Sequence, residues 1–234
     1  VHELTGSAIP NEVPGLHAVH AVDAAGVHPL CLAIGSERYT PFLPDPPTPE
    51  IYTIANHVLG TNQLSLAKYL LICADGPDRP DIDDVPGFLR HVLERFDPAR
   101  DLHFQTQTTI DTLDYTGTGF NQGSKVVIAA AGPRRRELWT ETPAGFELPR
   151  PFDRARLALP GILAVEAPPF SSYDETEREI DALDRNLRDK DTAGLALIVL
   201  CDDDVFTAES VNNFLWGTFT RSNPSHDIHG VRSF

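Results

Sequence analysis

A regular alternation of strand-length runs with helix-periodic stretches constrains this chain more than any single motif. The segments 27–34, 69–73, 102–106, 126–131, 161–167 and 195–201 read as strands, and the first, VHPLCLAI, is apolar on both faces. A strand of that kind must be covered on both sides, which places helices on the two faces of its sheet. Helical periodicities fall between the strands. One carries Ile51, Ile54, Val58, Leu64 and Ala67 with Gly60 as a break point, and a second carries Val85, Leu89, Val92, Leu93 and Phe96. A third spans 173–190 with Ile180, Leu183 and Leu187 facing inward, and a fourth spans 208–219. Pro86 fits a first turn, whose N–H groups lack helical partners, and Ser172 is placed to cap the third helix. The pattern predicts an α/β fold with a mostly parallel sheet flanked by helices.

The alternation is also duplicated. DPARDLHF at 97–104 echoes NPSHDIHG at 223–230, and the echo runs back through FLRHVLER and FLWGTFTR to strands ending in Cys73 and Cys201. The offset between Phe88 and Phe214 equals that between His103 and His229, 126 residues in each case. Self-similarity at a fixed offset predicts an internally repeated strand-helix-strand unit. The chain then divides into a first unit at 1–133, a Pro- and Arg-rich excursion or linker at 134–160, and a second, repeat-like unit at 161–234.

Composition narrows the classes of partner. A formal charge of −15 and a pI near 4.8 exclude nucleic acid, because phosphate binding needs clustered Lys and Arg and the knot Arg134–Arg136 is too small to supply it. No run approaches the ~20 apolar residues of a membrane span. Cys31, Cys73 and Cys201 lack zinc spacing and lie in apolar runs, as reduced core residues of a cytoplasmic protein would. The start VHELTGSAIP has no basic-then-apolar signal, and the chain contains no Met, so a processed, truncated or fragmentary chain is expected.

Several segments invite a chemical reading. CDDDV places Asp202, Asp203 and Asp204 at the end of a strand, where open α/β sheets bind ligands and where a hard cation would suit them. The competing and favoured reading is that these acids cap the following helix. GTGFNQGSK at 117–125 has glycines but neither the spacing nor the Lys-Ser order of a phosphate loop. His17, His20 and His28 cluster without a recognisable metal signature, and His103 and His229 occupy equivalent repeat positions, which favours structure. No G-x-S-x-G elbow or G-x-G-x-x-G turn is present.

In order along the chain stand SLAKYLLICAD, then the corner of Asp97, Pro98, Arg100 and Asp101, then Ile110, Asp111, Leu113 and Asp114, then Gly123, Ser124 and Lys125. This order resembles the C-terminal part of the UbiD family of prenylated-flavin decarboxylases over about residues 51–131. Ala74-Asp75-Gly76 stands where that family usually has an acidic triplet, and Ala129 stands where it often has Asp.

The resemblance implies one compact domain of a longer carboxy-lyase acting on aromatic or α,β-unsaturated acids. It implies no catalytic residue in this chain and no cofactor held by it alone. Prenylated FMN, with a divalent metal and potassium, would sit on a flavin-binding N-terminal domain of the same polypeptide. Ile110 and Thr112 would form part of a substrate-pocket wall, and the domain would support a homo-oligomer. The alternative from the residues themselves is a free-standing α/β protein-interaction or scaffolding module without catalysis.

Overall fold

A computed structural model describes residues 8–36 and 50–231. The Pro-rich connection expected at 41–49 lies outside the described residues. The chain divides into two compact units, the first formed by Val1–Arg135 with Phe219–Asp227 and the second by Arg136–Thr218 with Ile228–Phe234.

The first unit opens with a short helix α1 (Ile9–Glu12) and holds a five-stranded sheet of order β1-β2-β3-β5-β4. Its strands are β1 (Leu16–Ala21), β2 (Leu30–Gly35), β3 (Tyr69–Ala74), β4 (Leu102–Thr108) and β5 (Gly123–Ala130). The central strands β2, β3 and β5 run parallel, whereas β1 and β4 pair antiparallel with β2 and β5 at the two edges. The sheet is therefore mixed, which corrects the mostly parallel arrangement read from the sequence. The cause at one edge is connection length: residues 22–29 suffice for an antiparallel return but are too few for the dozen or more that a parallel crossover needs. At the other edge LHFQTQT is too polar for a strand covered on both faces, and β4 is exposed along nearly all its length.

Helix α2 (Ile51–Leu59) buries Ile51, Ile54, Ala55, Val58 and Leu59 against the sheet, among them residues that touch Leu70, Ile72 and Val127 in one core cluster. It stops at Gly60, and Asn62–Leu66 continues as a 3-10 turn that brings Leu64 into the same cluster. Helix α3 (Val85–Arg95) is capped by Asp84, whose carboxylate accepts from Gly87 N at 3.1 Å, and buries Phe88, Leu89, Val92 and Leu93. The spacing of these side chains explains why the stretch is helical: they recur every three or four residues on one stripe.

The second unit has a three-stranded sheet, β6 (Ala155–Leu159), β7 (Ile162–Glu166) and β8 (Leu197–Cys201). β6 and β7 form a hairpin at Gly161, whose φ of 71° suits glycine, and β7 runs parallel to β8. The crossover is α4 (Tyr173–Arg188), with Ser172 Oγ accepting from Glu175 N at 3.3 Å. Leu183 and Leu187 join Leu163 and Val165 in its core. Leu148 and Phe152, from the stretch read as an excursion, belong to that core as well.

The helix expected at 208–219 is two helices, α5 (Asp204–Glu209) and α6 (Val211–Phe219), separated by Ser210 in extended backbone. After α6 the described chain forms only α7 (Pro224–Asp227). The strand-helix-strand repeat is thus not reproduced, because among the described residues no strand follows the second corner. What does recur is the corner itself. Asp97 N donates to Asp101 Oδ2 at 2.8 Å and Asn223 N donates to Asp227 Oδ2 at 2.5 Å. In each copy the amides three and four residues on return to the carbonyl of Asp97 or Asn223. The echo marks a local turn chemistry, an Asp side chain closing its own loop, and not a duplicated fold.

Candidate functional site

The parallel strands of the first unit define two sheet edges, and the motif residues divide between them. Five residues of rise separate the ends of β3, about 16 Å at 3.3 Å per residue.

At the carboxyl edge stands the corner of Asp97, Arg100 and Asp101. Asp101 is buried and receives four donors: Tyr52 Oη at 2.5 Å, Arg100 Nε at 2.6 Å, Arg100 Nη2 at 2.8 Å and Asp97 N at 2.8 Å. Burial alone would raise its pKa, but the Arg100 and Tyr52 hydrogen bonds prevail and hold the carboxyl below its ordinary range. Burial, reinforced by Asp101, pushes the Tyr52 phenol up to about 12. Arg135 joins the corner through Asp97 Oδ2 at 2.8 Å. Every carboxylate oxygen here is engaged, so the corner ties α2 to the start of β4.

The amino edge holds the other two motifs. Lys68 precedes β3 and is buried, with Nζ 2.7 Å from Asp114 Oδ2 and 3.1 Å from Thr116 Oγ1. Burial lowers the Lys68 pKa and the Asp114 carboxylate counters it. Asp114 Oδ1 also accepts from Thr116 N at 2.9 Å and from Thr116 Oγ1 at 2.6 Å. Asp111 pairs with His28 Nδ1 and accepts from Leu113 N at 2.9 Å. Burial opposes these contacts, yet they leave the Asp111 pKa lowered.

On β5, Ser124 is fully buried, donates to Asn223 Oδ1 and accepts from Ser225 N at 2.9 Å. The neighbouring Lys125 turns to the opposite face, donates to the Ser65 carbonyl and has its pKa lowered by burial. Gly123 lies where a Cβ would stand 2.7 Å from Ile110 Cδ1. Ile110 is accordingly buried, while Thr112 next to it is exposed.

The structure therefore brings Asp111, Asp114, Gly123 and Ser124 to one edge and leaves Asp97, Arg100 and Asp101 at the other. Sequence reasoning missed Tyr52 and Lys68 as partners of these residues, and it noted His28 and Asn223, in a histidine cluster and in the echoed corner, without their pairing to Asp111 and Ser124. Only Lys68 had a visible signal, a cation set directly against the apolar run YLLICA. His17 and His20, read as a cluster with His28, instead reach separate carboxylates, Asp75 at 3.8 Å and Asp83 at 2.9 Å.

In the second unit, ligand atoms of Glu166, Asp203 and Asp204 lie within 4.8 Å of one another. Asp204 is buried and already takes Arg154 Nη2 at 3.3 Å and Arg156 Nε at 3.0 Å, while Glu166 takes Arg154 Nη1 at 2.7 Å. Asp203 caps α5 by accepting from Phe206 N at 2.9 Å. A cation would have to displace two guanidinium groups, which makes the cluster an ion-pair network. Elsewhere in this unit a groove of about 580 Å³ runs between α4 and residues 149–152, with Arg150, Arg178, Glu175 and Glu179 along it. It contains no motif residue. Among the described residues no helix is long and apolar enough to cross a membrane.

The architecture is a mixed α/β fold with two sheets, in which ordered sequence motifs fasten loops to the ends of the sheet of the first unit. The family model of the 3-octaprenyl-4-hydroxybenzoate carboxy-lyase C-terminal domain matches residues 1–130, and the chain belongs to that family, the UbiD family. Among curated relatives, a Chlamydia trachomatis serovar D protein is 33% identical over 231 residues, 98% of this chain and 36% of the relative. A 4-hydroxybenzoate decarboxylase subunit of Chlamydia pneumoniae is 31% identical over 241 residues, 100% of this chain and 36% of the relative. The chain spans about a third of the length of these relatives.

Two solved structures are also similar. The open form of vanillic acid decarboxylase from Sedimentibacter hydroxybenzoicus gives a TM-score of 0.44 at 15% identity, covering 77% of this chain and 32% of that one. The UbiD-class enzyme HmfF from Pelotomaculum thermopropionicum, in complex with FMN, gives 0.43 at 14% identity over 62% of this chain and 28% of that one.

Proposed function

We propose that this chain is the C-terminal domain of a UbiD-like non-oxidative decarboxylase of aromatic or α,β-unsaturated carboxylic acids. The observation that carries the reading is the family match over residues 1–130, joined to a match with the Chlamydia pneumoniae decarboxylase along the whole chain. In this reading the domain contributes assembly into a homo-oligomer and one wall of the substrate pocket. The reaction centre belongs to a flavin-binding N-terminal domain of the same polypeptide.

Prenylated FMN with its divalent metal and potassium does not fit the residues described here. Lys68 is held by Asp114 and Thr116, Lys125 by the Ser65 carbonyl, and Asp204 by two arginines. We assign the flavin no residue of this chain. The exposed Thr112 is the side chain offered to a substrate, and Ile110, seated on Gly123, sets the height of the loop that carries it.

The test is to express the native full-length polypeptide beside this chain and record flavin absorbance and decarboxylation of 4-hydroxybenzoate and its analogues. The full-length protein is expected to bind flavin and turn over an acid, and this chain alone to do neither. Flavin bound and turned over by this chain alone would defeat the division of labour.

A further inference from the structure

We propose that the open edge of β8 is a contact between two copies of this chain, at which β8 pairs antiparallel with its own counterpart. The pairing would join two three-stranded sheets into one of six strands. The proposal rests on the reading above only for its homo-oligomer, to which it gives a contact surface.

The run LALIVLC at 195–201 is apolar throughout, and every one of its residues is only half-buried, whereas residues 162–165 of the neighbouring β7 are fully buried. Among the described residues β8 pairs with β7 alone. Leu197 N donates to the Gly161 carbonyl and the Cys201 carbonyl accepts from Ala167 N. The alternation of a parallel ladder therefore turns the main-chain groups of Ile198 and Leu200 to the open side. Edges left open in a finished assembly are guarded by Lys, Pro, charge or a covering element, and LALIVLC contains no such residue. An uncharged, Pro-free run rich in β-formers is one that another strand covers readily.

The strand is complementary to itself. About a two-fold axis at Val199, Ile198 of one copy faces Leu200 of the other, and four main-chain hydrogen bonds form between these residues. Shifted registers serve fewer groups, because Ala196 N is already committed to Gly161 and Asp202 lies past the strand. Charge selects the direction of pairing. Asp202 and Asp203 are exposed just beyond the strand end. Parallel pairing would set the two acidic ends side by side at about 5 Å, whereas antiparallel pairing holds the two Asp202 residues about 20 Å apart, beyond a Debye length of ~8 Å.

The opposite edge argues against a head-to-tail arrangement. β6 carries Arg156, which with Arg154 is held by Asp204 and Glu166, and a charged edge is a guarded one. A junction of β8 on β6 would also leave an open edge on every copy added, whereas the β8 pair closes after two.

The experiment uses the native full-length polypeptide. In the antiparallel register Val199 lies opposite Val199 of the second copy, with Cα atoms about 4.5 Å apart, a span that a disulfide bridges. Leu197 lies opposite Cys201, which leaves the two Leu197 residues about 13 Å apart along the strand. The variants are Val199→Cys and Leu197→Cys, each combined with Cys201→Ser, and Val199→Lys. Mild oxidation is expected to link the Val199→Cys protein into a covalent dimer at least about tenfold faster than the Leu197→Cys protein. Val199→Lys sets like charges directly opposite each other. It is expected to keep the wild-type circular dichroism, to halve the mass by light scattering and to speed exchange of the Ile198 and Leu200 amides about tenfold or more. Should the lysine variant lose its circular dichroism, the two cysteine variants decide alone. Equal linking of the cysteine variants would overturn the proposal, as would mass and exchange unmoved in a folded Val199→Lys protein. A monomeric wild type would also overturn it, and protected Ile198 and Leu200 amides in that monomer would assign the edge to another segment of the chain. The reading above fails separately: an oligomer indifferent to these substitutions removes this contact and keeps the homo-oligomer, whereas linking at Val199→Cys in a protein without decarboxylase activity keeps the contact and loses the activity.

Discussion

Lys68 Nζ lies 2.7 Å from Asp114 Oδ2 with both side chains almost wholly buried, so the start of β3 and the loop after β4 are joined by an ion pair out of reach of water. Truncating either partner strands the other as a buried charge, which costs about 3–5 kcal/mol, whereas apolar replacement of both recovers much of it. Lys68→Met and Asp114→Leu are therefore expected to be severely destabilised singly and substantially rescued together. Urea midpoints of the four members of the cycle check this, and additive losses would refute the pairing.

Asp101 makes acid sensitivity predictable. Its pKa lies below the ordinary 3.8, so its contribution is fully present above pH ~3.8 and lost as pH falls through the folded value. Asp101→Asn is expected to lower stability at neutral pH and to flatten the acid limb below pH ~4. Some slope remains, because Asp111 is shifted in the same direction. Melting temperature against pH distinguishes this from a variant that lowers the whole curve in parallel.

Ser124 is fully buried and meets the returning segment 219–227 through Asn223 and Ser225. Ser124→Ala leaves those buried groups unserved and should cost about 1–3 kcal/mol. Asn223→Ala in the Ser124→Ala background should add little, since the contact is already gone. Hydrogen exchange at 219–227 should speed up in either variant, and unchanged protection there would contradict the assignment.

Gly117 and Gly76 form a matched pair. A Cβ on Gly117 would stand 1.8 Å from the Gln122 carbonyl oxygen, whereas one on Gly76 meets nothing within 4 Å. Gly117→Ala is expected to cost more than about 2 kcal/mol and Gly76→Ala less than about 0.5. Equal melting temperatures would sink this account of the loop.

For the acidic cluster of the second unit, titration with magnesium or manganese is expected to give no binding heat, because Arg154 and Arg156 already occupy Asp204. A saturable one-to-one isotherm abolished by Asp204→Asn would show that a metal displaces them.

What the sequence revealed was local in nature. Apolar runs and caps such as Ser172 act over a few residues, and they read directly: β2, β3, β5 and α4 stand close to where the pattern puts them. Strand direction was not legible, because burial on two faces looks the same in either direction. Only the polarity of LHFQTQT hinted at an edge. Site partners were hidden for the same reason. Lys68 and Thr116 are 48 positions apart and Ser124 and Asn223 are 99 apart, and no periodicity spans such gaps. The echo of the two corners was visible and genuine in its hydrogen bonds, yet it foretold a turn and not a fold.

The assignment of Phe219–Asp227 to the first unit has a consequence in time. Tyr69 and Ser124 are made early, but Ser222 and Asn223, which close over them, leave the ribosome only after residues 136–218, the main part of the second unit, have been synthesised. At about 5–20 residues per second, the interval covering 136–218 is roughly 4 to 17 s. For that time the nascent first sheet carries Tyr69 and Ser124 unclosed, so a ribosome stalled within the second unit would leave a half-finished amino edge open to chaperones.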